Sequence, residues 1–383
     1  MENPRPTLRT VLCDMLGIEY PILLAGMGPP VGRDTMGVAG PELVAAVSNA
    51  GGLGVLGGAG FTPDFLEKHI KRIKELTDRP FGVDILLPNR STGLLDQLPH
   101  DPRSLVPVES RDAVDALRRR FELPEVRADL ADRHAVLRAD FLAQDQVDVI
   151  VGMEVSVLAV GLGDPAPYVK QVHAAGAKVI GLVGNVKTAR RVAAGGADLI
   201  VAQGHEAGGH TGYIGTMALV PQVVDAVGPV PVVAAGGIGD GRGIAASLAM
   251  GAVGVWCGTA FIATDEAHLD LARKMRIVEA AAEDTRVTRL FTGKTMRNIT
   301  NPLIEAWENS GIKPMGFGAH DWLVADLVEA AEASGRTELL MNAAGQISGM
   351  TTRVRPAKEV FNDMVAQAVE VLTTTLPRAV VAR

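Results

Sequence analysis

Apolar residues recur in this chain in two rhythms. Short unbroken aliphatic and β-branched runs read as strands buried on both faces, as in a parallel sheet. The stretches between them repeat their apolar positions every three to four residues, as helices do. The runs are PILLAGM (21–27), LGVLGG (53–58), FGVDILL (81–87), VDVIVGM (147–153), KVIGLVG (178–184), DLIVAQG (198–204), PVVAAGG (231–237) and GVWCGTAFI (254–262). Helical patterns such as PELVAAVSNAG, TPDFLEKHIKRIKEL, NVKTARRVAAGG and DGRGIAASLAMG lie between them, several ending in the glycine that often closes a helix. Eight strands, each followed by a helix, predict an α/β fold, a (β/α)8 TIM barrel from about Pro21 to Ala282. A doubly wound sheet would need a GxGxxG turn after its first strand, whereas AGMGPPVG puts Val31 at the third glycine's place.

Two stretches exceed the barrel pattern. Residues 88–146 form a long insertion after strand 3, with a proline-rich opening and two helical segments, SRDAVDALRRRFEL and RADLADRHAVLRADFLAQDQ. It leaves a C-terminal strand end, so it reads as scaffold, oligomer surface or a cover over the barrel mouth. Residues 283–383 form a C-terminal helical extension with helical LVADLVEAAEASG and AKEVFNDMVAQAVEVLTTTL and the loops GFGAHDW and NAAGQISGM. The expected division is thus a barrel over 1–282, with 88–146 inserted, and a cap over 283–383 packed on it.

Composition narrows the class. The net charge of -7 supplies no basic patch for nucleic acid, and it disfavours an anionic membrane surface. Mean hydropathy is +0.19, yet every apolar run is short or broken by charge, so no transmembrane helix is expected. The N-terminus has no signal-peptide pattern, and Cys13 and Cys257 stand too far apart for a disulfide framework or a CxxC site. These features fit a soluble cytoplasmic enzyme. Aliphatic helix faces such as VAQAVEVL permit a homo-oligomer without specifying one.

In such barrels the chemistry lies at the C-terminal strand ends. Here they carry Gly26-Met27-Gly28, Gly57-Gly58, Asp84, Met153-Glu154, Val183-Gly184, Gln203-Gly204, Gly236-Gly237 and Gly258-Thr259. Glycine there lets a ligand approach the backbone. Gly236 and Gly237 before a helix, beside Gly258 and Thr259 on the neighbouring strand, fit a phosphate site; the alternative is that they only make tight turns. The segment AQGHEAGGHTG after the sixth strand presents His205, Glu206 and His210 on a loop of little bulk. The two histidines are five apart among glycines, without a third ligand, so no metal is expected. His210 reads as a general acid or base, since imidazole titrates near neutral pH. Cys257 reads as a small core residue. His320 and Trp322 read more readily as packing than as site residues, and His69, His100, His134, His173 and His268 are given no role.

PILLAGMG, LVAAVSNAGGLGVLGGAGF, GVDILLPN, AQGHEAGGHTG, PVVAAGGIGDGRGIAASLAMGAVGVWCGTAF and AAGQISGM resemble the nitronate monooxygenase family, formerly the 2-nitropropane dioxygenases, whose pattern the FMN-dependent enoyl-acyl-carrier-protein reductases share. The likeness runs from about Leu16 to Ala267 and resumes near Gly345. It implies FMN across the strand ends, with its phosphate at Gly236, Gly237, Gly258 and Thr259. It also implies that Ala25, Gly26 and Met27 meet the flavin ring, that Gln203 and Gly204 line the pocket with Gly208 and Gly209 of the AGGH loop, and that Gln346 lies near the flavin. His210 matches the family's catalytic histidine. One position departs: many relatives have Asn where this chain has Asp84. An ionised carboxylate cannot donate the hydrogen bonds an amide can, and it would disfavour a reduced, anionic flavin.

The resemblance implies one of two reactions. In the first, His210 takes the α-proton of a nitroalkane, or the substrate arrives as the nitronate, and oxidation by O2 gives a carbonyl compound and nitrite. In the second, NAD(P)H reduces the flavin, which reduces an enoyl thioester or quinone. A catalytically silent flavin- or phosphate-binding barrel is the reading from another class.

Overall fold

The computed structural model describes residues 6–29, 35–87, 102–128, 135–317 and 319–380. The proline-rich start of the insertion with His100, the start of its second helical segment with His134, and Val31 lie outside the described residues. Eight parallel strands form the barrel: β1 (Ile22–Leu24), β2 (Gly54–Gly57), β3 (Phe81–Leu86), β4 (Val157–Gly161), β5 (Lys178–Val183), β6 (Leu199–Gln203), β8 (Val232–Ala235) and β9 (Gly254–Cys257), while β7 (Gly209–His210) lies outside it. Their order is β1-β9-β8-β6-β5-β4-β3-β2, and a Leu23–Leu53 bridge joins the last strand back to the first. This is the (β/α)8 TIM barrel that the alternating pattern predicts.

The helices are α1 (Val11–Leu16), α2 (Pro41–Asn49), α3 (Pro63–Leu76), α4 (Val108–Arg120), α5 (Ala135–Gly152), α6 (Ala166–Ala174), α7 (Val186–Ala194), α8 (Thr216–Val227), α9 (Gly241–Ala249), α10 (Thr259–Ile262), α11 (Leu271–Glu279), α12 (Pro302–Glu308), α13 (Asp321–Ala333), α14 (Ala357–Glu370) and α15 (Leu376–Ala379). α1, capped by the Thr10 hydroxyl, plugs the bottom of the barrel. Its Leu12, Cys13 and Leu16 share one cluster with inward-facing Leu23, Leu53, Val55, Val157, Ile180, Leu199, Val233 and Trp256. β9 leads only into the single turn of α10, so the ring of helices is completed late in the chain, by α14 packing between α2 and α9.

One predicted strand is corrected. VDVIVGM (147–153) is the end of α5, and the fourth strand is β4, VLAVG. Ala143, Gln146, Val147 and Ile150 are buried at helical spacing, while Asp145 and Asp148 face outward. The β-branched run hid that period. Met153 and Glu154 therefore sit at a helix end, and the fourth strand end is Gly161. α5 packs against α3, α6 and β3 as the barrel's own third helix, with Gln146 donating to Gly58 O and Phe61 O at 3.2 and 2.7 Å. The eighth predicted strand is also shorter than expected, since 259–262 turns into α10.

A second core lies outside the barrel. Val106, Val114, Leu117 and Leu123 from the insertion pack with Leu290, Leu303, Trp307, Leu323, Leu327 and neighbours from the later segment. Arg103 and Asp326 lock the two parts at 2.7 Å, and Asp326 also accepts from Ala128 N at 2.8 Å. A small antiparallel sheet joins this unit to the barrel: β10 (Thr285–Thr288) pairs with β11 (Met296–Ile299), and β11 pairs with β7.

Candidate active site

The barrel mouth is built where the strand ends crowd together. Ala25 N donates to Cys257 O at 2.9 Å, fastening the end of β1 to β9. A β-carbon on Gly258 would stand 3.3 Å from that of Ala25 and 3.4 Å from the sulfur of Met27. Gly26 lies directly against Asp84, and a β-carbon there would overlap the carboxylate side chain. Asp84 is buried on β3, receives the Gly161 backbone N–H, and leaves its Oδ1 without a partner. Burial raises its pKa from 3.8 to about 7, against the opposing pull of the Gly161 hydrogen bond.

On the opposite side the 204–212 loop is tied down at almost every step. Gln203 Nε2 donates to His210 O at 2.6 Å, and His205 N donates to Ile214 O at 2.8 Å. Thr211 Oγ1 donates to Gly204 O at 3.2 Å, and Arg297 donates to His205 O at 3.1 and 3.3 Å. Glu206 accepts from Thr216 N (2.9 and 3.1 Å) and Thr216 Oγ1 (2.9 Å), capping the start of α8. Glu206, which the sequence shows only as one of three ionisable groups on the loop, is thus a brace. His205 Nδ1 meets Gly212 O at 2.7 Å, a contact within the loop itself.

Gly236 and Gly237 have φ of +91° and +75°, backbone states that only glycine adopts cheaply, and they run under the loop against Gly204 and Glu206. The helix that follows offers less than expected: Asp240 already caps the first amides of α9, accepting from Arg242 N at 2.9 Å and Gly243 N at 3.4 Å. At the neighbouring strand end the Thr259 hydroxyl accepts from Gly345 N at 2.8 Å, and Gln346 N donates to Glu206 O at 3.0 Å. A β-carbon on Gly208 would come within 2.6 Å of the Ala344 carbonyl carbon. The AGGH and AAGQ loops therefore meet backbone to backbone. Gly204, Gly208, Gly236, Thr259 and Gln346 belong to one neighbourhood, and Ala25, Gly26, Met27, Asp84 and Gly258 to the facing one.

His210 closes the mouth. It pairs with Met296 across the β7–β11 ladder, and its Nε2 lies 2.9 Å from Thr292 Oγ1. Phe317 packs its ring edge-to-face against the imidazole, with centroids 5.5 Å apart. Burial, reinforced by the nearby Lys294 charge, lowers the histidine pKa from 6.5 to about 4, so the ring is neutral at physiological pH. Thr292, Lys294, Arg297 and Phe317 escaped sequence reading. They stand more than eighty residues from His210 in a short hairpin and a loop without a recognisable motif. His320 is elsewhere, fully buried in the second core, with Nδ1 accepting from Met315 N at 3.1 Å and Nε2 facing Leu290 O at 2.7 Å. Cys257 is a core thiol whose pKa burial pushes up to about 12.

The strand ends of this parallel barrel thus carry glycines packed closely on neighbouring chain, with a neutral histidine on the loop after β6, the layout of a (β/α)8 barrel enzyme. The sequence profile of the nitronate monooxygenase family matches residues 9–367, and the chain belongs to that family. It is 39% identical over 382 residues to the putative monooxygenase Rv1533 of Mycobacterium tuberculosis, covering 95% of this chain and 97% of that one. It is 32% identical over 401 residues to the (3aS,4S,5R,7aS)-5-hydroxy-7a-methyl-1-oxo-octahydro-1H-indene-4-carboxyl-CoA dehydrogenase of Rhodococcus jostii, covering 95% and 97%. Among solved structures, the nitroalkane oxidase of Streptomyces ansochromogenes superposes with a TM-score of 0.77 at 31% identity, covering 96% of this chain and all of that one. The protein is a flavin-dependent oxidoreductase of the nitronate monooxygenase type. Among the described residues no helix is long and apolar enough to cross a membrane.

Proposed function

We propose that the barrel mouth holds FMN and that the protein oxidises alkyl nitronates or nitroalkanes with O2 to carbonyl compounds and nitrite. The fit to the cofactor rests on two features. Gly26, having no side chain, leaves room for Asp84 at the end of β1, and the polar edge of a flat ring needs a partner, which the orphaned Oδ1 of Asp84 would supply. Ala25, Gly26, Met27 and Asp84 would meet the ring, Gln203, Gly204, Gly208, Gly209 and Gln346 would line the pocket, and the amides of Gly236, Gly237, Gly258 and Thr259 would take the phosphate. With α9 capped by its own aspartate, those amides rather than a helix terminus would carry the anion. FMN, when bound, supplies the redox chemistry, taking electrons from the substrate and delivering them to O2.

The observation that carries the reading is His210. Its neutral imidazole is fixed at the lip by Gln203 on its backbone and Thr292 on its ring. A neutral ring at this position can accept the α-proton of a neutral nitroalkane or hydrogen-bond a substrate already deprotonated. A basicity as low as a pKa of about 4 makes proton abstraction a slow route, which favours nitronates. Phe317 packs against one side of that ring.

The second reading is an NAD(P)H-dependent reductase of enoyl thioesters or quinones, and a relative named as a carboxyl-CoA dehydrogenase favours it only so far as that relative's substrate is a CoA thioester. One experiment separates them. The purified protein should be yellow, with a band near about 450 nm that releases FMN on denaturation. Mixed without oxygen, propionate 3-nitronate should bleach that band and NADH or NADPH should not. Bleaching by the nicotinamide alone would overturn the monooxygenase reading, and a colourless protein that FMN cannot reconstitute would remove the flavin itself.

A further inference from the structure

We infer that Lys294 is a specificity-determining residue, whose ammonium receives the negative charge of an anionic substrate bound against His210. This rests on the function proposed above and names the residue that would make the site prefer a charged substrate to its neutral form. Four observations carry it.

Lys294 sits at the tip of the β10–β11 hairpin, and β11 is the strand to which His210 is paired. The tip is held in place: Thr292 Oγ1 accepts from Lys294 N at 3.4 Å while also contacting the His210 ring. The ammonium lies over the face of Phe317 at 5.5 Å from its centroid, and the same ring meets His210 edge-to-face, so cation, aromatic ring and imidazole form one cluster. Among the described residues no ion pair engages Lys294, whose side chain is solvent-exposed and whose pKa desolvation lowers. Ion pairs elsewhere in the molecule do match cation to carboxylate, as in Arg103 with Asp326 and Arg273 with Asp270. An uncompensated cation beside a neutral histidine makes the lip electropositive, and it already acts on the ring by opposing its protonation. A negative charge bound beside the imidazole within reach of the ammonium would be attracted by the lysine and would relieve that opposition. A neutral nitroalkane would gain neither.

The test uses the FMN-loaded enzyme and Lys294→Gln, which keeps length and removes charge, with Lys294→Arg as the conservative variant. The first readout is equilibrium binding of nitrate, an inert planar anion, followed without oxygen by the flavin absorbance. The second is steady-state oxidation of propyl-1-nitronate and of neutral 1-nitropropane. Lys294→Gln is expected to weaken nitrate binding and raise the nitronate KM by about tenfold, with kcat, FMN content and the nitroalkane KM little changed. Lys294→Arg should stay within about threefold of the wild type on the same measures. The inference is overturned if nitrate does not perturb the wild-type flavin, if Lys294→Gln leaves both constants unchanged, or if the arginine variant is as impaired as the glutamine one. A wild type that binds nitrate through Lys294 yet oxidises no nitronate would leave the anion site standing and defeat the proposed reaction instead.

Discussion

Replacing Asp84 by Asn is the perturbation whose size follows most directly from the structure. Burial without a counter-charge raises this carboxyl from 3.8 to about 7, so holding it ionised inside the fold costs about 4 kcal/mol more than in the unfolded chain. Because the folded-state value is the higher one, the native protein binds more protons than the unfolded chain between those values. Stability is therefore complete below about pH 4 and is lost as pH rises towards 7, levelling off above it. Asparagine has no such dependence and resembles the protonated acid in shape. Melting or urea-unfolding curves of the flavin-free wild type and Asp84→Asn between pH 4 and 8.5 should thus diverge with pH. The variant should gain under about 1 kcal/mol at pH 4 and up to about 4 kcal/mol by pH 8. The affinity for FMN should follow suit, falling in the wild type above pH 7 and staying level in Asp84→Asn. A stability difference that is constant across the range would refute the argument, because it would show that Asp84 does not titrate differently in the two states.

Other substitutions address the remaining parts. His210→Ala should keep its flavin and lose about a hundredfold in turnover of neutral nitroalkanes. In the wild type the pH–rate limb assigned to this residue should fall near pH 4 rather than 6.5, since the ring is the active neutral form above about 4. Gly208→Ala would drive a methyl to within 2.6 Å of the Ala344 carbonyl carbon, so the AGGH and AAGQ loops should part and FMN retention on gel filtration should drop. Leu12→Ala, at a fully buried position in the plug of the barrel floor, should cost about 3 kcal/mol in thermal or urea unfolding while leaving the flavin spectrum unaltered.

Much of the barrel could be read in the chain because parallel strands are buried on both faces and announce themselves as aliphatic runs. Where helix and strand share that vocabulary, the reading failed. Val147, Val149, Ile150 and Val151 spell a strand, and only the outward aspartates at 145 and 148 reveal the helix. The mouth was legible for a different reason: glycine at a strand end has few other uses than close approach, and His210 is conspicuous among glycines. What stands around that histidine was not legible. Thr292 and Lys294 reach it through the hairpin paired to a two-residue strand, β7, too short to leave a pattern, and Phe317 from a loop before α13. Likewise, nothing in the spacing of Asp84 showed that it would be sealed under Gly26 with one oxygen unmatched.

The second core has a consequence for how this chain can change. Its apolar faces come from two stretches of sequence, one inside the barrel's third crossover and one after its eighth strand, and among the described residues they cover each other. Deleting the insertion would bare Leu323, Leu327 and Trp307; shortening the later stretch would bare Leu117 and Val114, and it would also take away the strand that holds His210. The two must be gained, lost or resized together. A relative with a barrel of the same length but a shorter third crossover should therefore carry a rebuilt segment after its last barrel strand, and a chimaera that exchanges only one of the pair should aggregate.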